Sequence, residues 1–488
     1  MTAFLIALAV LIGGYFIYGF IVDRILATDK NRPMPCDTHR DGIDYMPMAT
    51  WKAFLIQFLN IAGLGPIFGA IMGVMFGPAA FLWITFGTIF AGAVHDFVSG
   101  VVSIRSNGAS LPEIVGQELG VSIKQVMRVF SILLLVLVGA VFISTPASII
   151  QGLTEGYLSE WFWIVVIFIY YLLATMLPID KLIGNLYPVF GVALLFMAAA
   201  LLCIILFDPA VHIPIDMSEG IFNAQSDPGV KPLFPMMFVS IACGAISGFH
   251  ATQSPMIARC LKSEKLARPI FYGAMVAEGI VALIWAAAAI AFTGGYDKLG
   301  EYFAVHGNNA TAQLVNDISV GWLGKIGGLL AILGVVAAPI STGDTALRST
   351  RLIVADLLRL DQKSLLKRLM VSLPIFAAVA ALMFIEFDIL WRYFAWANQT
   401  LSVFTLWAVT VYLARNHKPY IITLLPAMFM TVVSASYLLF APRPEGFGLP
   451  LWISVTAGCA VAILFTALFL RYLRRLPSKE QMTKTVQS

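Results

Sequence analysis

From end to end the chain alternates apolar stretches with short polar connections. Each apolar run approaches about 20 residues, the length at which a helix spans about 30 Å of hydrocarbon. The pattern predicts thirteen spans: 2–22, 53–75, 79–103, 127–150, 161–178, 186–207, 234–256, 268–293, 326–345, 368–386, 391–413, 419–440 and 450–472. The segments between them differ in charge. With the N-terminus outside, the inner segments 23–52, 104–128, 179–185, 257–268, 346–368, 414–418 and 471–488 hold 26 of the 31 Lys and Arg residues. Basic residues gather on the cytoplasmic side, so the expected topology is N-terminus outside and C-terminus inside.

The outer connections 208–233 and 294–325 are acidic (Asp208, Asp216, Glu219, Asp227; Asp297, Glu301, Asp317), and each is expected to form a short surface helix or lid. The inner segment 104–126 reads as an amphipathic helix along the membrane. Ser110 is placed as its N-cap, Glu113 completes a capping box, and Pro112 sits in the first turn. Residues 1–22 lack a basic n-region and a small-residue cleavage site, and read as a spanning helix rather than a signal peptide.

Two spans break the rule that a chain in lipid must satisfy its own main chain. "NIAGLGPIFGAIMG" (60–73) places Gly63, Gly65 and Pro66 about midway along span two. Pro66 cannot donate to the carbonyl of Ala62. Gly65, Gly69, Gly73 and Gly77 recur every fourth residue, which by itself is a small-residue packing face. Five spans later, "ACGAISGFHATQSP" (242–255) repeats the interruption with Gly244 and Gly248. Span two runs outward and span seven inward. Paired interruptions in opposed halves point to an inverted-repeat transporter with its site near the midplane. The expected fold is all-α and LeuT-like. Residues 53–207 form one five-helix repeat and 234–413 the other, with an extra helix at 1–22, two at 419–472, and a tail at 473–488.

Composition agrees: 59% of the 488 residues are hydrophobic, 12% are charged, and mean hydropathy is +0.87. The five cysteines are scattered without metal-ligand spacing, and no cofactor or metal is called for. Nothing points to nucleic acid, and the sequence leaves a homo-oligomer open.

Polar groups inside the membrane are costly and default to functional candidates. For solute binding these are Gly63, Gly65, Pro66 and Gly69 at the first break, with Gly248, His250, Thr252 and Gln253 at the second. Half-helix N-termini suit a carboxylate, and unwound carbonyls suit a cation. For ion or proton coupling they are His95 and Asp96 in span three, Ser341, Thr342 and Asp344 in span nine, and Glu278 in span eight. Bland readings compete. His95 and Asp96 could anchor a helix end, and their side chains leave the helix about 100° apart and need not touch. Asp344 could pair with Arg348 one turn on. Asn398, Gln399, Gln57 and Asn60 read as helix-to-helix glue, and Trp391 and Trp396 as interface anchors, with a gate as the alternative.

These residues resemble the carbon starvation protein A (CstA) family. The shared signatures are "DGIDYMP", "NIAGLGPIFGAIMG", "WITFGTIFAGAVHDF", "SLPEIVGQELG", "LYPVFG", "SGFHATQSPMIAR", "ARPIFYGAMVAEGIVALIW" and "STGDTALRSTRLIVAD", in family order from about residue 41 to 356. The chain is shorter than the better-known members after the ten-helix core. The resemblance implies a bacterial inner-membrane transporter that takes up peptides or pyruvate during carbon limitation, driven by protons. Sodium coupling through Ser341 and Thr342 is the competing expectation, and a starvation-linked sensor without flux is another. An enzyme is disfavoured by the lack of any nucleophile or metal motif, and a channel by the paired breaks.

Overall fold

The first apolar run forms one unbroken helix, α1 (Thr2–Leu26), and the second does not. Pro66 lacks the amide hydrogen that would bond Ala62, and Gly63 and Gly65 lack side chains that favour a helix. In the computed structural model α2 (Thr50–Ile61) accordingly stops before the proline, and α3 (Gly65–Val74) sets off at 53° to it. The structure describes the chain except residues 41–44, 155–156, 177–178, 214–219, 361–363 and 477–488. Part of the "DGIDYMP" signature, Asp216, Glu219 and most of the expected tail therefore lie outside the described residues.

Five further helices complete the first half: α4 (Ala79–Arg105), α5 (Leu111–Leu119), α6 (Val121–Leu153), α7 (Glu160–Met176) and α8 (Ile179–Phe207). The second half opens with the second broken helix. Helix α9 (233–240) ends, residues 241–249 run through turns, and α10 (His250–Ala258) resumes. Then come α11 (Glu264–Thr293), α12 (Tyr296–His306), α13 (Ala310–Leu330), α14 (Leu333–Leu358), α15 (Leu365–Leu382) and α16 (Phe387–Arg415), followed by the hairpin α17 (Ile421–Phe440) and α18 (Leu451–Leu473). No strand occurs among the described residues.

Each of the thirteen expected spans coincides with a helix or a broken helix. Among the described residues, eight helices are long and apolar enough to cross a membrane as single rods. The others depart for identifiable reasons. Helix α7 has only 17 residues, and α16 is long but carries buried polar side chains. The expected span 326–345 straddles a 58° bend between α13 and α14. Gly324 adopts a positive φ of 60° inside α13, ahead of that bend, and α14 beyond it is the more deeply buried helix.

The glycine row in span two has a concrete partner. A Cβ at Gly65 would overlap the side chain of Cys243, one at Gly73 would overlap Ile241, and one at Gly69 would lie 3.1 Å from the Ser240 carbonyl. The first broken helix thus lies directly against the second along three glycines. Gly77 departs from the row: it has a φ of 99° and faces the Phe222 carbonyl.

On the basic side, a fully buried Glu264 ties several elements together. It accepts from the Asp29 amide (2.7 Å), Arg32 Nε (3.2 Å) and Arg105 Nε (2.6 Å), while Arg105 Nη2 and Lys418 Nζ both reach the Leu26 carbonyl. The expected capping box on α5 does not form. Ser110 is extended and makes no side-chain cap bond, and Glu113 turns instead to Lys124 and Arg128 on α6. Two nearby cations attract the carboxylate more strongly than a free backbone amide does.

Candidate functional site

Adjacent residues on an ideal helix diverge, yet His95 and Asp96 touch, Nδ1 to Oδ1 at 2.8 Å. Just before them α4 is wound as a π-helix over Trp83–Gly92, which brings Gly92 against the Ala245 carbonyl of the second break. The other oxygen of Asp96 meets His250 Nδ1 at 2.8 Å, and His250 Nε2 lies 3.4 Å from Glu278 Oε2. Four titratable side chains from α4, α10 and α11 thus form one cluster, and all four are fully buried. Both imidazoles turn Nδ1 to Asp96, so Nδ1–H donation fits the geometry, with the tautomer inferred from the bonding pattern. His95 Nε2, His250 Nε2 and both Glu278 oxygens make no hydrogen bond. Uncompensated buried charge costs several kcal/mol per ion. The geometry sets His250 between two carboxylates, with Nδ1 toward Asp96 and Nε2 toward Glu278.

The expectation that His250 faces solute is corrected by this geometry, because both of its ring nitrogens face carboxylates. The other residues expected around it are occupied locally. Thr252 donates to the Phe249 carbonyl at 2.7 Å and accepts from Gln253 Nε2 at 2.9 Å. A Cβ at Gly248 would sit 2.6 Å from the Asn398 carbonyl. At the first break Gly63 packs on Phe142 and Thr342, Gly65 on Cys243 and Gly69 on Ser240, and Pro66 is buried between them.

The polar main chain freed at the second break is largely taken up by α16. Asn398 Nδ2 donates to the Ala242 carbonyl (2.9 Å), and its Oδ1 accepts from the Phe249 amide (2.7 Å) and Ser247 Oγ (3.0 Å). Its own carbonyl accepts from Gly248 N at 3.2 Å, and Gln399 Nε2 donates to the Phe238 carbonyl at 3.2 Å. The glue reading of these two amides fits, though what they hold is a broken helix rather than an intact one. At the first break, Thr342 Oγ1 lies 3.0 Å from the Leu59 carbonyl, and Ser341 Oγ donates to Ala338 at 2.7 Å.

Asp344 has a partner the sequence did not suggest. Tyr187 on α8 donates to Oδ2 at 2.8 Å, whereas Arg348 is 3.9 Å away and bonds the Ala174 carbonyl at 2.8 Å. The only available signal was Tyr187 itself, a polar-tipped aromatic within "LYPVFG".

A cavity of about 660 Å³ opens on the acidic side between α3, α9, α12 and α16, with Met72, Ser240, Glu301, Asp388 and Arg392 in its wall. Trp391 forms its base, which corrects the interface-anchor expectation. The ring is fully buried, 5.9 Å from Phe68 and 5.4 Å from Phe394 between centroids. None of the residues expected to bind solute lines this vestibule.

Two broken helices in contact, a vestibule above them and a buried polar cluster beside them define a multi-pass membrane transporter of LeuT-like fold. The manganese transporter of Eremococcus coleocola superposes with a TM-score of 0.55 over 88% of this chain and 95% of that one at 12% identity, and MhsT in complex with L-phenylalanine with 0.53 over 85% and 97% at 16%. The carbon starvation protein CstA family profile matches residues 1–158 and 152–322. The chain belongs to that family. A membrane protein of Haemophilus influenzae is 40% identical over 339 residues, 60% of this chain and 91% of its own length. The peptide transporter CstA of Campylobacter jejuni is 28% identical over 367 residues (62% of this chain, 51% of its own), and the pyruvate/proton symporter BtsT of Escherichia coli is 27% identical over 359 residues (59% and 48%). The chain thus spans about half the length of these two named relatives.

Proposed function

We propose that this protein is a proton-coupled symporter of the bacterial inner membrane that imports a small carboxylate nutrient, pyruvate or a short peptide. The observation that carries the reading is the buried His95–Asp96–His250–Glu278 cluster, an arrangement whose economical use is to hold and release protons. The names of the two relatives supply the solute classes, and the basic residues of the inner connections support an external N-terminus.

The vestibule is the outward entry, and Trp391 with Phe68 closes it above the breaks. Solute and proton would load from outside, and rocking of one helical group against the other would expose them to the cytoplasm. One arrangement favours sodium as a second reading: Thr342 and the Leu59 carbonyl bring oxygen atoms together across the first break. Uptake of pyruvate and of dialanine into proteoliposomes, with proton and sodium gradients imposed separately, tests both. Accumulation that follows the proton gradient alone is expected. Accumulation only with sodium moves the coupling to Thr342, and uptake of neither solute under either gradient removes the proposal.

A further inference from the structure

Gln57 and Asn60 stand one turn apart at the end of α2, immediately before the first break. Residues three apart share a helix face. Both side chains are fully buried, and none of their four amide atoms has a hydrogen-bond partner. Among the described residues every other fully buried Asn or Gln makes at least one hydrogen bond: Asn398 and Gln399 to the second break, Gln253 to Thr252. A buried amide left unpaired is costly, and two on one face are hard to reconcile with a purely packing role.

Their position gives the cost a purpose. The vestibule is walled in part by α3, on the far side of the break, and by Trp391, whose ring packs on Phe68. Helix α2 lies on the other side, where the Leu59 carbonyl already meets Thr342 of α14. A solute that passes the aromatic floor and the break arrives at Gln57 and Asn60. We infer that this amide pair is a specificity-determining subsite that hydrogen-bonds the polar group of the transported solute. Each amide offers two N–H donors and a carbonyl acceptor. A solute with only acceptors, such as a keto acid, would satisfy the donors and leave both carbonyls idle. One that also carries N–H groups, such as a dipeptide, satisfies both. The pair therefore favours solutes with donors and acceptors together. This rests on the transport reading above.

The test uses Gln57→Leu and Asn60→Leu in the full-length protein, with dialanine and pyruvate as probes. Ligand-induced thermal stabilisation in detergent reads binding without requiring flux, and proteoliposome uptake reads KM and maximal rate. Because no hydrogen bond is lost, both variants should melt at or above the parent temperature without ligand. Stabilisation by dialanine should disappear, and its uptake KM should rise at least tenfold with a smaller change in maximal rate. A lower melting temperature in both variants would show the amides to be structural and would overturn the inference, as would an unchanged KM. Stronger parental stabilisation by pyruvate than by dialanine would overturn the preference. If the parent binds dialanine but transports neither probe, the transport reading fails while the subsite stands.

Discussion

The imidazole of His250, on the re-formed half of the second broken helix, lies 2.8 Å from the carboxylate of Asp96 on a helix 154 positions away in sequence. A residue at the mouth of a break is thereby bonded to a buried acid on a different helix. Any rearrangement at the break moves that bond. Asp96→Asn keeps the shape and removes the charge. Gradient-driven accumulation should fall at least tenfold while solute exchange across equilibrated membranes continues at a measurable rate. Parallel accumulation and counterflow assays separate the two, and full accumulation in the variant would exclude Asp96 from coupling.

Asn398 should prove structural. Its amide pairs with main-chain groups at Ala242 and Phe249 and with Ser247, so Asn398→Leu leaves several buried polar groups unpaired at about 1–3 kcal/mol each. The expected result is a marked drop in thermal stability in detergent, with or without ligand. A melting temperature equal to the parent's would contradict this account of how the break is held.

The contact between Gly65 and Cys243 predicts a compensating pair. Gly65→Ala forces a methyl into the Cys243 side chain, and overpacking of this kind costs about 1–3 kcal/mol. Uptake should fall sharply. Adding Cys243→Gly vacates that volume and should restore part of the uptake relative to Gly65→Ala alone. Absence of any rescue would place the defect elsewhere.

Glu264 should anchor the basic side. Glu264→Gln leaves Arg105 facing a neutral amide, and losing one partner of a buried ion pair costs about 3–5 kcal/mol, toward the lower end here because Arg32 is partly exposed. Thermal unfolding in detergent reads the loss.

Glu118 on α5 supplies a pH signature. Burial pushes its carboxyl above the ordinary value of 4.5, and Arg415, 2.7 Å away, only partly offsets this. The folded state therefore prefers the protonated form. The stability this contributes is present below the unfolded value and is lost as pH rises through the folded one. Glu118→Gln, which stays neutral, should raise the melting temperature at pH 8 more than at pH 4.5. An equal effect at both would mean that Arg415 fully compensates the charge.

Sequence revealed the breaks better than what surrounds them. Pro66 and the glycines beside it announce a lost hydrogen bond in any context, and the apolar runs announce spans by length alone. The contact of His95 with Asp96 was not legible, because both lie in regular α-helix and their touching depends on side-chain rotamers that spacing does not fix. His250 was read as facing solute since its break was visible and its distant partners were not. Tyr187 and Asp344 are joined across 157 residues, a pairing that only packing defines. The capping box on α5 failed for the opposite reason: the local pattern was sound, and cations on the next helix outcompeted it.

Helix α1 stands outside the ten-helix core, yet Gly14 fits beneath Ile89 of α4 and Gly19 against Tyr272 of α11. These are two of the three helices that carry the buried acids and imidazoles. The leading segment thus packs on helices that hold the buried acids and imidazoles. On the proposed rocking mechanism, a fluorophore at its exposed end would travel with those helices and report their swing from a position remote from the buried cluster.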